Sequence, residues 1–274
     1  MELKTYTKIE TVFNRSMEGK KKLIVGDYRN ETVEYLKDNE WIGTEKIDGT
    51  NIRVFWDGYS ISFAGRTNKS VIQPNLLPKL EEIFCNSETE QIFEQLFGEN
   101  KVILFGEGYG NRVQKVGHLY RSDNSFILFD VYMVESNLWL KRNAIEDIGK
   151  ALGIEVVPVV FKGTIDQAVK FVKEHPMSTI GNAPMEGIVC KPAVDMLTRT
   201  GDRVIVKIMV TEAKIKANNA SNKRNTTTVL LRLNYNTDAD ILEKLGQVNS
   251  KMGYIKTLIR EDLKKEKRKA RRQQ

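Results

Sequence analysis

The chain has 274 residues, with 43 Lys and Arg against 36 Asp and Glu, which gives a formal net charge of +7 at pH 7. Its 41% hydrophobic and 29% charged residues are typical of a globular protein and exclude an intrinsically disordered polymer. With only two cysteines and two histidines, the sequence also argues against a disulfide framework and against a structural zinc site, which needs four clustered nitrogen or sulfur ligands.

The compartment follows from similar exclusions. The first residues, MELKTYTKIETVF, lack the apolar segment of a secretory signal peptide. No stretch approaches the roughly 20 apolar residues that a membrane-spanning helix needs. Cys85 and Cys190 are far apart in sequence and fit a reducing compartment. We therefore expect a soluble, cytoplasmic monomer with no membrane partner.

The first 210 residues alternate between strand-like and helix-like segments. Alternating or β-branched runs predict strands at 22–28, 41–47, 51–58, 59–65, 101–107, 125–134, 155–161, 187–192 and 203–210. Apolar residues spaced three and four apart predict helices at 30–38, 76–84, 88–97, 141–153 and 164–175. The pair Asp57-Gly58, between two strand segments, predicts a β-hairpin.

The composition changes after Val210. The polar segment at 211–228 has no apolar periodicity and predicts a linker or mobile loop. Residues 229–274 predict a small helical C-terminal module, because apolar residues recur there on one helical stripe. Gly246 and Gly253 favour a break near the middle of that module.

The end of this module carries most of the net charge. Residues 255–274 contain nine basic and three acidic residues, a net charge of +6. Such a basic tail is compatible either with a solvated, fraying helix end or with an arm that binds phosphates.

The run EKIDGTN, from Glu45 to Asn51, is the most informative segment of the sequence. Taken alone, a lysine two residues before Asp-Gly is compatible with an ordinary strand and turn. Five further segments follow it in order: AGRTNKS (64–70), LFGEGYG (104–110), FILFDVY (126–132), MEGIVCKP (185–192) and RVIVKIM (203–209). This ordered combination makes chance a poor explanation.

Together these segments resemble the covalent nucleotidyltransferases, which are the polynucleotide ligases and RNA capping enzymes. They are most similar to the phage RNA ligase 2 family, over roughly residues 40–210. EKIDGTN resembles motif I, FILFDVY motif III, MEGIVCKP motif IV and RVIVKIM motif V. The resemblance implies an α+β nucleotidyltransferase domain at residues 1–210, with ATP-grasp-like antiparallel sheets flanked by helices.

The resemblance also implies the site. Its catalytic residues would be Lys46, Asp48, Glu186 and Lys207. Lys46 would be the adenylated nucleophile, Asp48 would help to order it, Glu186 would bind the metal, and Lys207 would contact the α-phosphate. The nucleotide-binding residues would be Glu45, Ile47, Asn51, Arg66, Glu107, Phe129 and Lys191.

Elementary chemistry agrees with these roles. A lysine attacks phosphorus only as the neutral amine, which neighbouring positive charge and partial burial favour. A carboxylate such as Glu186 supplies the hard oxygen that Mg²⁺ or Mn²⁺ needs, and Phe129 offers a face on which adenine can stack. Glu107 can accept a hydrogen bond from ribose. The resemblance, rather than chemistry alone, implies that Arg66 meets the ribose or a 5′-phosphate and that Glu45 reads the adenine amino group.

Each of these residues also has a purely structural interpretation. Phe129 could be a core residue, and Glu107 a solvated strand end. Arg66 and Lys191 could be surface charges, and Asp130 could only order the backbone beside Phe129.

Met209 departs from the family pattern, which has a second lysine at this position of motif V. A methionine cannot bind a phosphate as an ammonium does. Three interpretations stay open: Lys191 or Lys214 supplies the missing charge, the residue replaces a lysine of the natural protein, or the enzyme is weakened.

The resemblance implies an ATP-dependent RNA ligase. It would join RNA 3′-hydroxyl and 5′-phosphate ends, in a nicked duplex or tRNA-like substrate, through lysyl-AMP and RNA-adenylate intermediates. The 64 residues after Val210 read as helical rather than as the five-stranded barrel of DNA ligases and capping enzymes. Two alternatives remain: a DNA nick ligase of the same superfamily, and a degenerate ATP- or RNA-binding module that Met209 leaves without ligase activity.

Overall fold

A computed structural model describes residues 4–15, 23–210, 233–235, 237–248 and 251–272. The chain divides into two compact units, Met1–Arg224 and Asn225–Gln274. The predicted linker at 211–228 lies outside the described residues, so the predicted domain limits at 210 and 228 stay predictions.

The first sheet of the larger unit has five strands. In spatial order they are β1 (Glu10–Thr11), β13 (Val206–Met209), β12 (Gly187–Pro192), β4 (Trp41–Lys46) and β11 (Val159–Gly163). Among the described strands of this sheet, only the short β1 pairs in parallel, with β13. Helices α1 (Glu31–Tyr35) and α6 (Ile165–Lys173) contribute to the core on one face of this sheet, around the buried Trp41 and Ile188.

The second sheet also has five strands in a continuous order. They are β10 (Glu155–Val156), β8 (Asn124–Met133), β7 (Val102–Gly110), β5 (Thr50–Trp56) and β6 (Ile61–Ala64), and β9 (Leu138–Trp139) pairs with β8 beside them. β10 pairs in parallel with β8, and the other pairs are antiparallel. Helices α2 (Leu77–Phe84), α3 (Ser87–Phe97) and α5 (Arg142–Leu152) form one apolar core with this sheet.

The remaining elements are small. A two-stranded ribbon joins β2 (Phe13–Arg15) and β3 (Leu23–Tyr28), and α4 (Gly117–Tyr120) follows β7. The C-terminal unit contains α7 (Ala239–Gly246) and α8 (Lys251–Arg272). The first helix ends at Gly246 as predicted, whereas Gly253 lies inside the second helix and does not break it. Within the ranges that the structure covers, no helix is long and apolar enough to cross a membrane.

The predicted mixed fold, with mainly antiparallel sheets flanked by helices, is confirmed. The predicted hairpin at Asp57-Gly58 joins β5 to β6. The Asp57 carboxylate accepts hydrogen bonds from the backbone amides of Tyr59 and Ser60. The prediction of one strand at 155–161 is wrong. Pro158, which has no N–H to donate, separates β10 in the second sheet from β11 in the first.

Candidate active site

A cavity of about 460 Å³ is lined by residues of both sheets. Nine of the predicted site residues line it: Glu45, Lys46, Ile47, Asn51, Arg66, Glu107, Phe129, Lys191 and Lys207. The other two predicted residues, Asp48 and Glu186, are not part of its lining, but Glu186 contacts Lys46 directly. The segments that are scattered over 165 residues of sequence therefore meet at one place.

Strand register explains why the two lysines share the cavity. Gly187 of β12 lies opposite Lys46 of β4 on one side and opposite Met209 of β13 on the other. Two residues along the same strand, Val189 lies between Thr44 and Lys207. Directly opposed residues point to the same face of a sheet. Lys46 and Lys207 therefore both project from the cavity face of the first sheet.

Lys46 and Glu186 form an ion pair. The Lys46 ammonium donates to Glu186 Oε2 at 2.5 Å, and about a quarter of each side chain is exposed. Burial raises the pKa of Glu186 above its ordinary value, while Lys46 and Lys207 act in the opposite direction. The pair holds the nucleophile candidate at a defined position.

The turn after Lys46 is tightly packed against β7. A Cβ atom at Gly49 would lie 2.3 Å from the Gly108 carbonyl oxygen, so only glycine fits. The Gln114 side chain donates to the Gly49 carbonyl at 2.9 Å, and the Asp48 amide donates to the Tyr120 hydroxyl at 3.4 Å. The backbone of Asp48 thus helps to order the turn, and the predicted role of its side chain stays a prediction.

Glu107 is a strongly perturbed carboxyl group of the cavity. Burial raises its pKa to about 8, and the negative charges of Glu186 and Asp48 add to that effect. The positive charges of Lys46 and Arg66 lower it, but not by enough to compensate. At neutral pH Glu107 is therefore largely protonated, so it can donate a hydrogen bond as well as accept one.

Phe129 lies at a β-bulge. Phe105 of β7 pairs with Asp130, whereas the next residue, Gly106, pairs with Leu128, so Phe129 has no direct partner. In a regular strand, neighbours such as Phe129 and Asp130 would point to opposite faces. The bulge instead turns both toward the cavity side, where Phe129 packs at a ring-centroid distance of 5.0 Å from Tyr6.

Asp130 is fully buried and does more than order the backbone. Its Oδ2 accepts from Tyr6 at 2.7 Å, from Lys191 at 3.0 Å and from Arg203 at 2.6 Å. Burial acts to raise the pKa of Asp130, but the positive charges of Lys191 and Arg203 hold it below its usual value. Lys191, predicted as a phosphate ligand, is therefore anchored by a carboxylate at the cavity wall.

Glu45 and Ile47 flank the nucleophile and are both buried. Glu45 Oε2 accepts from the amide and the hydroxyl of Thr179, at 2.9 and 2.6 Å. Its Oε1 has no hydrogen-bond partner within the described part of the chain, and neither has Asn51 Oδ1. Ile47 packs in an apolar cluster with Tyr120 and Ile127.

Several parts of the cavity wall were not predicted as parts of the site. Tyr6, Thr7 and Ile9 come from the N-terminal segment, Leu140, Arg142 and Ile145 from the region where α5 begins, and Val157, Ala193 and Asp195 from the segments that follow β10 and β12. No motif in the sequence marks these residues, because they reach the cavity only through tertiary packing.

The donor set fits a divalent cation only in part. Among the residues with described positions, no group of three or more His, Cys, Asp and Glu side chains is arranged to hold a metal ion. Protein-bound Mg²⁺ commonly uses one or two carboxylates together with substrate phosphates. Glu186 could supply such a carboxylate.

Comparison with known proteins assigns the family. The RNA ligase family model matches residues 39–209, which is more than half of the chain. The chain belongs to the RNA ligase family. The narrower resemblance to phage RNA ligase 2 enzymes stays a prediction. No curated protein matches this RNA ligase family member in a sequence search.

Solved structures support the same fold. A variant of Naegleria gruberi RNA ligase with ATP and Mn has a TM-score of 0.54 and 18% identity, over 77% of this chain and 57% of that one. The Naegleria gruberi enzyme with PPi has a TM-score of 0.54 and 18% identity, over 81% of this chain and 58% of that one. A variant with AMP and Mn has a TM-score of 0.54 and 18% identity, over 78% of this chain and 58% of that one. This RNA ligase family member thus spans less than two thirds of the length of these proteins.

Proposed function

We propose that the protein is an ATP-dependent RNA ligase that joins RNA 3′-hydroxyl and 5′-phosphate ends. The observation that carries the proposal is the ion pair of Lys46 with Glu186 beside a cavity lined by Glu107, Phe129 and Lys207. Membership of the RNA ligase family and the solved Naegleria gruberi relatives with ATP, AMP and Mn support it.

In the first step, Lys46 Nζ forms a bond to the α-phosphorus of ATP. The bond from that phosphorus to the bridging oxygen breaks, and pyrophosphate leaves with its electron pair. The amine loses its proton before attack, because only the neutral amine is nucleophilic. Lys207, on the same face two register positions away, binds the α-phosphate, and Phe129 and Glu107 hold the base and the ribose.

The remaining site residues bind and orient the nucleotide. Asn51 and Arg66 contact phosphate and ribose, and the free oxygen of Glu45 is available for the adenine amino group. Glu186 would hold Mg²⁺ or Mn²⁺ together with nucleotide phosphates. Such a cation would neutralise phosphate charge and would compete with the Lys46 ammonium for this carboxylate.

In the second step AMP passes from Lys46 to the 5′-phosphate of an RNA strand. In the third step an RNA 3′-hydroxyl attacks that phosphate, and AMP leaves as the phosphodiester forms. The partner would be a nicked RNA duplex or a tRNA-like pair of ends, the protein would act as a monomer, and its compartment would be the cytoplasm.

The proposal is tested by supplying the protein with ATP, Mg²⁺ or Mn²⁺ and a nicked duplex that carries a labelled 5′-phosphate. Joined RNA is the expected product, with adenylated RNA as an intermediate. Lys46→Ala should give neither. A parallel assay on nicked DNA distinguishes a DNA ligase of the same superfamily, which would join the DNA nick. Binding of ATP and RNA without transfer of AMP would instead identify a degenerate module, and would overturn the proposal.

A further inference from the structure

Arg53 is a buried charged residue that the proposed mechanism does not use. It lies on β5 two residues after Asn51, so the two side chains project from the same face of the strand. Its solvent exposure is 0%. Burying a guanidinium is costly unless its donors are satisfied, so the partners of Arg53 indicate what it stabilises.

The guanidinium of Arg53 connects separate parts of the cavity wall. Its Nε donates to the Gly65 carbonyl at 2.8 Å, and its Nη2 donates to Asn68 Oδ1 at 2.9 Å. Its Nη1 donates to the Lys4 carbonyl at 3.2 Å. The first two acceptors belong to the loop at 65–70, and the third belongs to the N-terminal segment that carries Tyr6 and Thr7 into the cavity wall.

The loop at 65–70 carries Arg66, whose side chain lines the cavity although the residue is exposed. Inside the loop, the Ser70 amide donates to the Thr67 carbonyl at 3.0 Å, and the two hydroxyls are 2.8 Å apart. These bonds close the turn on itself. The bonds from Arg53 attach it to the second sheet, immediately before Arg66 and two residues after it.

We propose that Arg53 is a positioning residue that fixes the 65–70 loop, and with it Arg66, at the nucleotide cavity. The proposal rests on the proposed ligase function for the role of Arg66, and it deepens that function. A long side chain on an unattached loop loses conformational freedom when it binds a ligand. By fixing the loop, Arg53 removes the part of this loss that comes from the loop before the nucleotide or the RNA 5′-phosphate arrives.

Asn68→Ala is the sharpest test, because it deletes one acceptor of Arg53 at an exposed position and leaves the core intact. Lys69→Ala, at an exposed position of the same loop, is the matched control. Arg53→Lys keeps the charge but cannot bond at once to Gly65, Asn68 and Lys4. Each variant is compared with Arg66→Ala and with the double variant of Arg66→Ala and Asn68→Ala.

Two measurements are made on the full chain. Rates of lysyl-AMP formation and of AMP transfer to 5′-phosphorylated RNA show which step changes. We expect Asn68→Ala to slow the step that Arg66→Ala slows, by roughly 3- to 10-fold, and to add nothing in the double variant. The proposal would be overturned if the rate losses of Asn68→Ala and Arg66→Ala multiplied in the double variant, or if Arg66→Ala left both rates unchanged. It would also be overturned if Lys69→Ala lost as much activity as Asn68→Ala.

Amide hydrogen exchange of residues 65–70 gives a readout that does not depend on catalysis. Exchange should be faster in Asn68→Ala and in Arg53→Lys than in the wild type and in Lys69→Ala. Unchanged exchange in both variants would refute the positioning role even in an active enzyme. A wild-type chain that forms no lysyl-AMP, with the expected exchange pattern, would instead refute the proposed function and leave the attachment of the loop by Arg53 intact.

Discussion

Glu107 and Glu186 lie close to Lys46, and burial raises the pKa of both carboxyl groups. A carboxyl group that ionises less readily in the folded state than in the unfolded chain makes the fold less stable as the pH rises. For Glu107, this loss develops between its ordinary pKa of 4.5 and its folded value of about 8, and it is complete above pH 8. Only where Glu107 ionises, toward pH 8 and above, does this loss of stability come with an added negative charge near Lys46.

Replacing Glu107 with glutamine should remove this pH dependence. We expect the free energy of unfolding of Glu107→Gln to exceed that of the wild type at pH 9, because the amide never ionises. The advantage should shrink as the pH falls toward 5, as denaturant titrations at several pH values can measure. Glu99→Gln, at an exposed position, is the control. A difference that does not change with pH would contradict the burial of an ionisable Glu107.

Met209 lies in register with Lys46 across Gly187, which has no side chain between them. A lysine at position 209 would therefore add positive charge on the cavity face, where the α-phosphate is expected. We expect Met209→Lys to accelerate lysyl-AMP formation, measured in a single turnover with labelled ATP. Met209→Gln, of similar length but neutral, should not. An unchanged rate in Met209→Lys would show that another cation already serves this function.

At the scale of single elements, β8 combines a predictable strand with an unpredictable bulge. The run from 125 to 134 predicts the strand correctly, and the resemblance of this run to motif III predicts Phe129 as a base platform. Strict alternation would place Asp130 on the opposite face. The register shift against β7 brings Asp130 to the cavity, where it binds Lys191 and Arg203. A bulge depends on pairing with a distant strand, so the local pattern does not contain it.

The stacking role of Phe129 has a direct test. Loss of one aromatic–base stack costs about 1–3 kcal/mol, so Phe129→Leu should raise the apparent KM for ATP by a factor of roughly 5 to 150. Phe129→Trp keeps an aromatic face and should retain more of the affinity. The measurement is the ATP dependence of adduct formation. Equal KM values for Phe129→Leu and the wild type would show that Phe129 has only a structural role.

At the scale of the whole molecule, nine of the eleven residues that the motifs singled out line one cavity. Strand register brings Lys46 and Lys207 to the same face of the first sheet, where the cavity also contains Glu107 and Phe129 of the second sheet. The contributions of Tyr6 and Arg53 could not be predicted in this way. Tyr6 bonds to Asp130, which lies 124 residues further along the chain. Arg53 bonds to the loop that follows β6, which comes close only because β6 pairs back along β5. Such contacts exist only once both sheets have assembled.

The net charge of +7 is concentrated at the C-terminal end, so RNA binding and adenylation should separate. We expect deletion of residues 264–274 to weaken RNA affinity more than lysyl-AMP formation, and to make RNA binding less dependent on salt. RNA titrations at several salt concentrations, beside an adenylation assay, measure both. Equal losses of the two activities would show that the tail supports the fold of the larger unit.

The most direct measurement is the mass of the intact protein after incubation with ATP and Mn²⁺, followed by peptide mapping. A ligase of this family should gain the mass of one AMP group, attached at Lys46, and Lys46→Arg should gain none. Subsequent addition of 5′-phosphorylated RNA should remove the group from the protein. An unmodified wild-type chain, or AMP attached at another residue, would contradict the central role of Lys46.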